Sequence, residues 1–513
     1  MKKFFRLFFS RVPLILLAIL LQIGFAVVIT LYFRDYYFPI RVVTTIVLVI
    51  VLLGLINRDM SAEGKLPWAI IVTLFPILGV ILYLSFSHNY ASRKERKLFA
   101  KLPQRKFAND DPKAPDKILG QINYLKTVGA PCFSNAQTKY FKCGEEFLPD
   151  LLEELKKAQK FIFMEYFIVE KGKMFDSILE VLQRKVEEGV EVRLMYDYVG
   201  SSVHFSHASF RKLRKSGINC VRFGKLKPII SAVYNNRDHR KITVIDGIVG
   251  YTGGINLADE YINETHPFGY WKDTTVKIVG ESVSSLCLMF LQMFSMARNK
   301  TENFDKYIDA CRDKKRTAEL NSDENPERLE KQGIIVPFGD GPKPIYSEYI
   351  GRSVYINLIN QAEKELCITT PYLIVDEEFS EAIRRAAMRG VNVNIIIPGI
   401  PDKKSVYAMT KQSCAKLVNS GVKIYVYSKG FIHAKGIVAD GIVGVVGTIN
   451  LDYRSFVHHY ECGAYMFDTS ALYELRQDIM QTINESELLK EPPKLKFSEK
   501  FVCVFANIFR PML

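Results

Sequence analysis

The sequence predicts an α/β protein in which two related domains follow an N-terminal membrane-spanning segment. Three apolar runs occupy most of the first 90 residues. From about residue 140 onward, strand and helix signals alternate in the way that is typical of α/β domains. A set of His, Lys, Asp, Gly and Asn residues also occurs twice, 194 residues apart. Together these observations indicate a membrane anchor followed by an internal duplication.

The apolar runs lie at about 13–33, 37–57 and 66–86. The first contains 21 residues without a formal charge, and about 20 apolar residues suffice for a helix to cross a bilayer. A buried helical bundle of a soluble protein is the alternative, but these runs leave almost no polar face. We therefore predict that residues 1–106 form a membrane anchor of two to three transmembrane helices with basic flanks.

The net charge of the 513-residue chain is +14, and most of it lies in this anchor. Residues 1–106 hold 15 Lys or Arg and 4 Asp or Glu, whereas residues 107–513 hold 54 and 51. A nearly neutral body argues against nucleic-acid binding, which needs a basic surface. The basic excess instead favours an anionic membrane surface.

Basic clusters lie on both sides of the apolar runs, at 2–11 and 93–106. The positive-inside tendency would place both clusters in the cytoplasm, which three full spans do not allow. Because the second cluster is larger, we expect a multi-pass protein of the cell membrane with its C-terminal body on the cytoplasmic face. The number of full spans stays open. Nine scattered Cys without a CxxC pair predict reduced thiols, which agrees with that compartment.

The body of the chain shows an internal repeat of strands and helices. Gly189 and Gly390 each end a predicted helix and lie 201 residues apart, and Gly217 and Gly421 do the same 204 residues apart. Such nearly constant offsets predict duplication of a whole domain. The predicted domains cover 107–298 and 332–488, with a polar linker or insertion at 299–331 and a basic amphipathic tail at 489–513. The tail fits either a membrane surface or a last helix packed on the body.

The repeated motif reads H-x-K-x4-D-x6-G-[GT]-x-N. Its His and Lys project from the same face of a strand, because they are two residues apart. The following Asp-Gly pair predicts a hairpin turn, and the returning strand brings the Asn back beside the His and Lys. The small residues before each Asn are expected to leave room for an anion. The first copy contains His239, Lys241, Asp246, Gly253, Gly254 and Asn256, and the second contains His433, Lys435, Asp440, Gly447, Thr448 and Asn450.

This set of side chains suits the chemistry of a phosphate ester. Two Lys and two Asn can hold phosphoryl oxygens and stabilise charge in the transition state. One His can attack phosphorus, and the other can protonate the leaving alcohol and later deprotonate an incoming one. A single His-x-Lys pair is more often structural, but its duplication with all partners favours the functional interpretation. We predict no metal site and no cofactor, because the lysines supply the positive charge and the adjacent His458 and His459 would point to opposite faces of a strand.

The two motifs resemble those of the phospholipase D superfamily. Further stretches resemble the bacterial cardiolipin synthases of that superfamily, including KLPWAIIVTLFPILGVILYL at 65–84, YWKDT at 270–274 and GTINLDYRSF at 447–456. The resemblance covers nearly all of 42–513. It implies two phospholipase D-like α/β sandwich domains. It also implies transfer of a phosphatidyl group from one phosphatidylglycerol to another through a phosphatidyl-histidine intermediate, which gives cardiolipin and glycerol.

The resemblance also implies roles for individual residues. His239 is expected as the nucleophile and His433 as the general acid and base, although the sequence leaves that order open. Lys241, Lys435, Asn256 and Asn450 are expected to bind phosphate. Asp246 and Asp440 complete the catalytic motifs and are expected to order neighbouring groups, and Asp273 and Glu461 are expected to hydrogen-bond the motif histidines.

Several alternatives remain at this point. A hydrolytic phospholipase D, or a transphosphatidylase with another alcohol acceptor, would use the same residues. A nuclease is disfavoured by the membrane segment, and a non-enzymatic adaptor by the two intact motifs. Lys272 and His459 stand where the family usually has Arg and Asn, which leaves acceptor preference open. The expected partner is phosphatidylglycerol in the membrane, and the oligomeric state stays open.

Overall fold

The computed structural model of the chain describes residues 20, 24, 27–28, 36–58, 60, 62–87, 91–104, 110–225, 235–312 and 333–509. These residues fall into two compact units, which we describe separately. One unit contains the N-terminal helices and the residues from Val504 onward. The other contains both predicted domains, from Tyr90 to Cys503 apart from a short segment at 229–233.

From Tyr36 onward, the described residues of the N-terminal unit form three helices, α1 (Tyr37–Ile56), α2 (Ala62–Leu74) and α3 (Pro76–Phe86). Within the described residues, only Phe38–Ile56 is long and apolar enough to cross a membrane, and its side chains are mostly exposed. The predicted span at 66–86 is instead divided between α2 and α3. The break falls at Phe75, which has non-helical dihedrals as residues before a proline often do, and Pro76 then begins the next helix. The predicted span at 13–33 lies outside the described residues apart from four isolated positions.

The other unit opens with two helices and then folds its first half as alternating strands and helices. Amphipathic patterns and short β-branched runs form the elements where the sequence predicts them. A 3₁₀ turn, Asp259–Ile262, follows the hairpin of the first motif. The elements are α4 (Arg93–Phe99), α5 (Asp116–Thr127), β1 (Phe133–Phe141), α6 (Gly144–Lys157), β2 (Phe161–Tyr166), α7 (Lys173–Glu187), β3 (Glu191–Asp197), α8 (Tyr198–Ser201), α9 (His207–Lys215), β4 (Asn219–Phe223), β5 (Ile242–Ile245), β6 (Val249–Gly253), β7 (Tyr270–Lys272), β8 (Thr275–Val279), α10 (Val283–Arg298) and α11 (Asp305–Ala310).

The second half repeats this order with small additions near its end. Its elements are β9 (Gly333–Asp340), α12 (Ile350–Gln361), β10 (Glu365–Thr369), β11 (Leu373–Ile374), α13 (Glu377–Met388), β12 (Asn392–Pro398), α14 (Lys404–Val418), β13 (Lys423–Tyr427), β14 (Gly430–Ile432), β15 (Gly436–Ala439), β16 (Val443–Gly447), β17 (Leu451–Asp452), α15 (Tyr453–Val457), β18 (Glu461–Phe467), α16 (Ser470–Asn484), β19 (Ser486–Leu488) and α17 (Phe497–Phe509).

The two halves share one continuous sheet. Its 15 strands run in the order β19-β13-β12-β10-β15-β16-β18-β9-β1-β8-β6-β5-β2-β3-β4. Read outward from the central β9–β1 pair, the first seven strands on each side correspond one to one. Each half keeps a parallel trio, β2-β3-β4 or β10-β12-β13, beside an antiparallel group. The predicted α/β fold with internal duplication is confirmed, but the halves form one compact unit and not two separate bodies.

The core is built mainly by the two faces of this sheet. The helix α10 is buried on nearly all sides at the junction of the halves, and its Phe290 stacks on Phe163 of β2 with ring centroids 4.7 Å apart. The start of the predicted polar linker also belongs to this core. Phe304, Tyr307 and Ile308 are buried around α11, because these apolar side chains pack against the first half. The rest of the predicted linker, from 313, lies outside the described residues.

Candidate active site

Each His–Lys segment is held in place by the opposite half of the molecule. The backbone N–H of His239 donates to the carbonyl of Tyr460 at 2.9 Å, and that of His433 donates to the carbonyl of Lys272 at 2.7 Å. The parallel pairing of β14 with β7 extends the second contact. The two motifs therefore meet where the halves join, because the residues just before each motif His pair with a segment of the other half.

Carboxylates cross between the halves in the same way. Nδ1 of His239 lies 3.0 Å from Oε2 of Glu461, and Nδ1 of His433 lies 2.5 Å from Oδ2 of Asp273. All four side chains are buried. With a carboxylate at Nδ1, a neutral imidazole keeps its proton there and presents the lone pair of Nε2. Both rings are therefore oriented to use Nε2 as a nucleophile or base.

Two buried lysines accompany the histidines. Nζ of Lys241 donates to the carbonyl of His239 at 2.6 Å, and Lys435 donates to the carbonyl of His433. Burial lowers the pKa of Lys241 to about 8 and that of Lys435 to about 7, although Asp273 and Glu461 oppose the shift. Desolvated ammonium groups of this kind gain most from an anionic ligand, since burial strengthens charge–charge attraction.

The protonation of the site follows from the same burial. Burial lowers the pKa of His239 to about 3 and that of His433 well below its usual range, with the nearby lysines adding to the shift of His433. Burial raises the pKa of Asp273 to about 7. Burial also opposes ionisation of Glu461, but His239 and His459 hold its pKa below the usual range. Without a bound anion, both imidazoles are therefore neutral at physiological pH.

The two motif asparagines are both buried but differ in their contacts. Oδ1 of Asn256 accepts from the backbone of Ile168 at 3.0 Å, and its Nδ2 donates to the hydroxyl of Tyr261 at 2.7 Å. Oδ1 of Asn450 is buried without a hydrogen-bond partner among the described residues. Asn256 therefore already supports the surrounding loop, whereas the amide oxygen of Asn450 makes no such contact within the described part of the chain.

The motif aspartates lie away from the histidines. Asp246 follows β5 at the hairpin turn and accepts from the backbone N–H groups of Gln159, Lys160 and Phe161 at 2.6–2.9 Å. Asp440 accepts from the equivalent residues before β10. Both have a positive φ, 52° and 53°, which Asp tolerates in such turns. The contacts agree with the expected ordering of neighbouring groups, and they place neither carboxylate at the reacting centre.

The small residues before each Asn do not leave space for an anion, contrary to the prediction. A Cβ at Gly254 would lie 2.0 Å from Oδ1 of Asp273, and a Cβ at Gly447 would lie 2.4 Å from the carbonyl of Cys462. Thr448, which is equivalent to Gly254, donates its hydroxyl to Glu461. The space is therefore filled by the carboxylates that orient the histidines and by a neighbouring strand.

The two departures from the family pattern have different surroundings. Nζ of Lys272 binds Oδ1 of Asp478 at 2.7 Å in a buried ion pair. The ring of His459 lies 5.4 Å from that of His239, and the ring of Trp271 lies at the same distance from His433. Trp271 and His459 each stand two residues before the carboxylate of their half. The half-sites are therefore alike in geometry but carry an indole on one side and a third imidazole on the other.

His239, His459 and Glu461 also form the one group in the described part of the chain whose side chains could together hold a metal ion. Their ligand atoms lie within 4.8 Å of one another. Oε2 of Glu461 already accepts from His239 and Thr448, and the charge of Lys241 acts on the same imidazole. A cation there would have to displace these bonds, so the arrangement serves the orientation of His239 first.

Sequence reasoning missed Arg240, which lies between the motif His and Lys. Its guanidinium is fully buried, and Nε donates to the carbonyl of Glu461 at 2.9 Å. Nη2 donates to the carbonyl of Asp340 at 3.1 Å and to the hydroxyl of Tyr346 at 2.5 Å. Neighbouring side chains on an extended segment point to opposite faces. A charged residue between the motif His and Lys was therefore a signal for a polar partner on the face away from the site.

Comparisons with known proteins agree with this geometry. The model of a family described as "Cardiolipin synthase, PLD-like domain" matches residues 151–271 and 355–483, and one described as "Phospholipase_D-nuclease N-terminal" matches residues 42–87. The two matches to the first model coincide with the two halves of the sheet. The match to the second, together with the apolar helix α1, indicates membrane association.

Similar proteins and structures extend the agreement over most of the chain. A protein of Streptococcus mutans described only as uncharacterized is 40% identical over 475 residues, which is 90% of this chain and 99% of that protein. A cardiolipin synthase of Alkalihalophilus pseudofirmus is 31% identical over 499 residues, 92% of this chain and 94% of that protein. The crystal structure of phosphatidylserine synthase from Haemophilus influenzae shares the fold, with a TM-score of 0.56 and 16% identity over 76% of this chain and 98% of that one. The chain therefore belongs to the cardiolipin synthase family and carries its phospholipase D-like domain twice.

Proposed function

We propose that this protein is a cardiolipin synthase that transfers a phosphatidyl group from one phosphatidylglycerol to another. The observation that carries the proposal is the pairing of His239 with Glu461 and of His433 with Asp273. Two imidazoles, each oriented by a buried carboxylate and accompanied by a buried lysine, provide a nucleophile, a proton carrier and positive charge. A two-step transfer at a phosphodiester needs these three functions.

In the first step, the phosphodiester oxygens lie on Lys241 and Lys435. Nε2 of His239 attacks phosphorus, so that a P–N bond forms and the P–O bond to the glycerol headgroup breaks. Binding of the anionic phosphodiester favours the protonated form of His433, which enters the step as an imidazolium and gives its Nε2 proton to the departing glycerol oxygen. The products are free glycerol and a phosphatidyl group on His239.

In the second step, a hydroxyl of another phosphatidylglycerol gives its proton to His433 and attacks the same phosphorus. The new P–O bond forms, the P–N bond breaks, and His239 is neutral again. Cardiolipin, which contains the acceptor oxygen in its new P–O bond, leaves the site. Both histidines are then back in their starting states. The reaction therefore balances without an additional reactant.

The assignment of roles follows the order of the two motifs. Burial lowers the pKa of His239 to about 3, which favours a neutral nucleophile. Burial raises the pKa of Asp273 to about 7, and Asp273 makes a short hydrogen bond to His433. The pair of His433 and Asp273 can therefore carry one proton through the cycle. Asn450, with its unpartnered amide oxygen, contacts the substrate or its bound water.

The location of the chemistry belongs to the same proposal. We infer a multi-pass protein whose catalytic unit faces the cytoplasm, because the larger basic cluster, at 93–106, directly follows the apolar segments along the chain. Lysines and arginines near a membrane surface also attract anionic lipids. The lipid substrate and the anchor then belong to the same membrane.

The proposal is tested by product analysis with the purified full-length protein in vesicles that contain phosphatidylglycerol labelled in its headgroup. Cardiolipin and free glycerol are expected in equal amounts. Phosphatidic acid as the main product would instead indicate hydrolysis. Wild-type yields of cardiolipin from both the His239→Ala and the His433→Ala variants would contradict the site. Added ethanolamine or ethanol tests for another alcohol acceptor.

A further inference from the structure

We propose that Tyr372, Asp402 and Lys403 form a subsite beyond His433 that binds the glycerol phosphate headgroup of the acceptor lipid. The inference rests on the proposed transfer and adds to it the residues that select the acceptor. In that transfer, the incoming alcohol lies on the side of His433. When the alcohol is phosphatidylglycerol, it carries a second phosphate three carbons from the attacking oxygen, and this anion needs a partner.

The three residues are linked to one another by direct contacts. The hydroxyl of Tyr372 donates to Oδ2 of Asp402 at 2.7 Å. Nζ of Lys403 lies 3.4 Å from the same oxygen and 5.8 Å from the centroid of the Tyr372 ring. The carboxylate and the ring both lie near the ammonium group, and the Lys403 side chain is 65% exposed. An accessible cation suits recognition of an anionic ligand from solvent or from a membrane.

A row of rings connects this group to the reacting centre. The Tyr372 ring lies 6.5 Å from the Phe431 ring, which lies 5.8 Å from the His433 ring. The charges of both Asp402 and Lys403 also act on His433. Burial and the two motif lysines lower the pKa of His433, Asp402 opposes that shift, and Lys403 adds to it. The subsite therefore lies close enough to His433 for one headgroup to reach both.

The two halves of the molecule differ at this position. In the first half, the strand β3 ends in Asp197, whose carboxylate accepts from the backbone N–H groups of Val199 and Gly200 at the start of α8. In the second half, the equivalent strand β12 ends in Pro398, and the following helix α14 has neither a side-chain cap nor an acidic residue in its first turn. Lys403 occupies the N-cap of α14, where a cation is disfavoured by the helix dipole. A bound phosphate would offset both costs.

The chemistry of the subsite matches the two polar parts of the acceptor. The ammonium group of Lys403 suits the phosphate, and the remaining oxygen of Asp402 suits the free hydroxyl of the glycerol. Water and neutral alcohols carry no anion for Lys403 to bind. The subsite therefore explains how a site that can serve several acceptors would prefer an anionic lipid.

The test compares two soluble acceptors that differ only in a phosphate group. Full-length enzyme in vesicles of phosphatidylglycerol and phosphatidylcholine receives labelled glycerol or labelled glycerol 3-phosphate, and label that enters lipid is measured for each. The ratio of glycerol 3-phosphate use to glycerol use should fall about tenfold in Lys403→Gln, on the scale of one charge-assisted hydrogen bond. Cardiolipin formation should fall with it, and Lys403→Arg should restore both.

Lys404→Gln is the matched control, because it removes the same charge from the adjacent exposed residue. An unchanged acceptor ratio in Lys403→Gln would overturn the subsite, as would an equal fall in Lys404→Gln. Incorporation of glycerol shows in the same samples that each variant is folded. If the wild-type protein incorporates glycerol but makes no cardiolipin, the proposed function fails, and that result is distinct from failure of the subsite.

Discussion

Asp273 from the first half of the chain hydrogen-bonds His433 from the second, with 2.5 Å between Oδ2 and Nδ1. Glu461 and His239 make the reciprocal contact at 3.0 Å. Each half thus supplies a motif histidine and the carboxylate that orients the histidine of the other half. Duplication of the domain has therefore produced a single site, because neither half contains a complete histidine–carboxylate pair.

The first prediction concerns this crossed pair. Asp273→Asn should lower kcat by about 10²- to 10⁴-fold, the usual contribution of a positioned acid–base group, since an amide does not stabilise the imidazolium of His433. The kcat of purified protein checks the change. Combining Asp273→Asn with His433→Ala should cost little more than His433→Ala alone, because the two residues act as a unit. Fully additive losses would show that Asp273 acts independently of His433.

The second prediction separates Asp246 from the catalytic machinery. Its carboxylate accepts three backbone N–H groups, and an amide at this position can accept with one oxygen only. Asp246→Asn should therefore lower the free energy of unfolding by about 1–3 kcal/mol, the cost of a buried donor without a partner. The activity of the folded fraction should change little. Thermal unfolding in detergent, measured beside specific activity, checks this, and a loss of activity at unchanged stability would contradict it.

The third prediction concerns pH. Burial lowers the pKa of Lys241 to about 8 and that of Lys435 to about 7, so both lose their charge as the pH rises through this range. Because the cations bind phosphate, kcat/KM should fall between about pH 7 and 9, and this ratio reports the free enzyme. In Lys435→Arg the fall should move to higher pH, since a guanidinium stays protonated. A pH profile identical to that of the wild type in this variant would show that Lys435 does not set the limit.

The same pKa shifts have a consequence for stability. Between the lowered folded-state pKa and the ordinary value of 10.5, the unfolded chain binds more protons at these lysines than the folded chain does. Their contribution to the free energy of unfolding therefore increases as the pH rises from about 7. As the pH rises, activity should fall while this contribution to the free energy of unfolding increases. The opposite trends distinguish titration of the site from general unfolding at alkaline pH.

The fourth prediction concerns Lys272, which stands where the family usually has Arg. Its ion pair with Asp478 is buried, and the hydroxyl of Tyr140 donates to the other oxygen of that carboxylate at 2.8 Å. Lys272→Met should destabilise the protein by about 3–5 kcal/mol, because it leaves a buried charge without its partner. The double variant Lys272→Met with Asp478→Leu should recover much of that loss. If acceptor preference changed at constant stability, this structural role would be wrong.

Much of the fold followed from local patterns. Helix stops at Gly189 and Gly390, and the constant motif offset, predicted the duplication because a repeated order of elements folds in a repeated way. The continuity of the sheet did not follow, since pairing of β1 with β9 depends on contacts between distant segments. The break at Phe75 was present as a proline signal, but apolar length alone predicted a single span across it.

For the site, the motif spacing predicted His239 and Lys241 on one face of a strand, whereas the structure places both just before β5. Lys241 still lies beside His239, because its Nζ donates to the carbonyl of His239. The partner of each histidine could not be read from spacing, because Glu461 reaches His239 across the junction of the halves. The role of Gly254 could not be predicted either, because the side chain of Asp273 occupies the space that a Cβ at Gly254 would need. Contacts within one hairpin were accessible from sequence, and contacts between halves were not.

The most direct test of the account is to look for the phosphatidyl group on the protein. Because His433 serves both steps, the wild-type protein is mixed with phosphatidylglycerol labelled in its phosphatidyl part and quenched during turnover. Label should stay on the protein after a denaturing, mildly alkaline quench, which spares a P–N bond. Mass spectrometry should place the adduct on His239, and the His239→Ala variant should carry none. Label on His433 in the His239→Ala variant, or no covalent label in any variant that still makes cardiolipin, would contradict a transfer through His239.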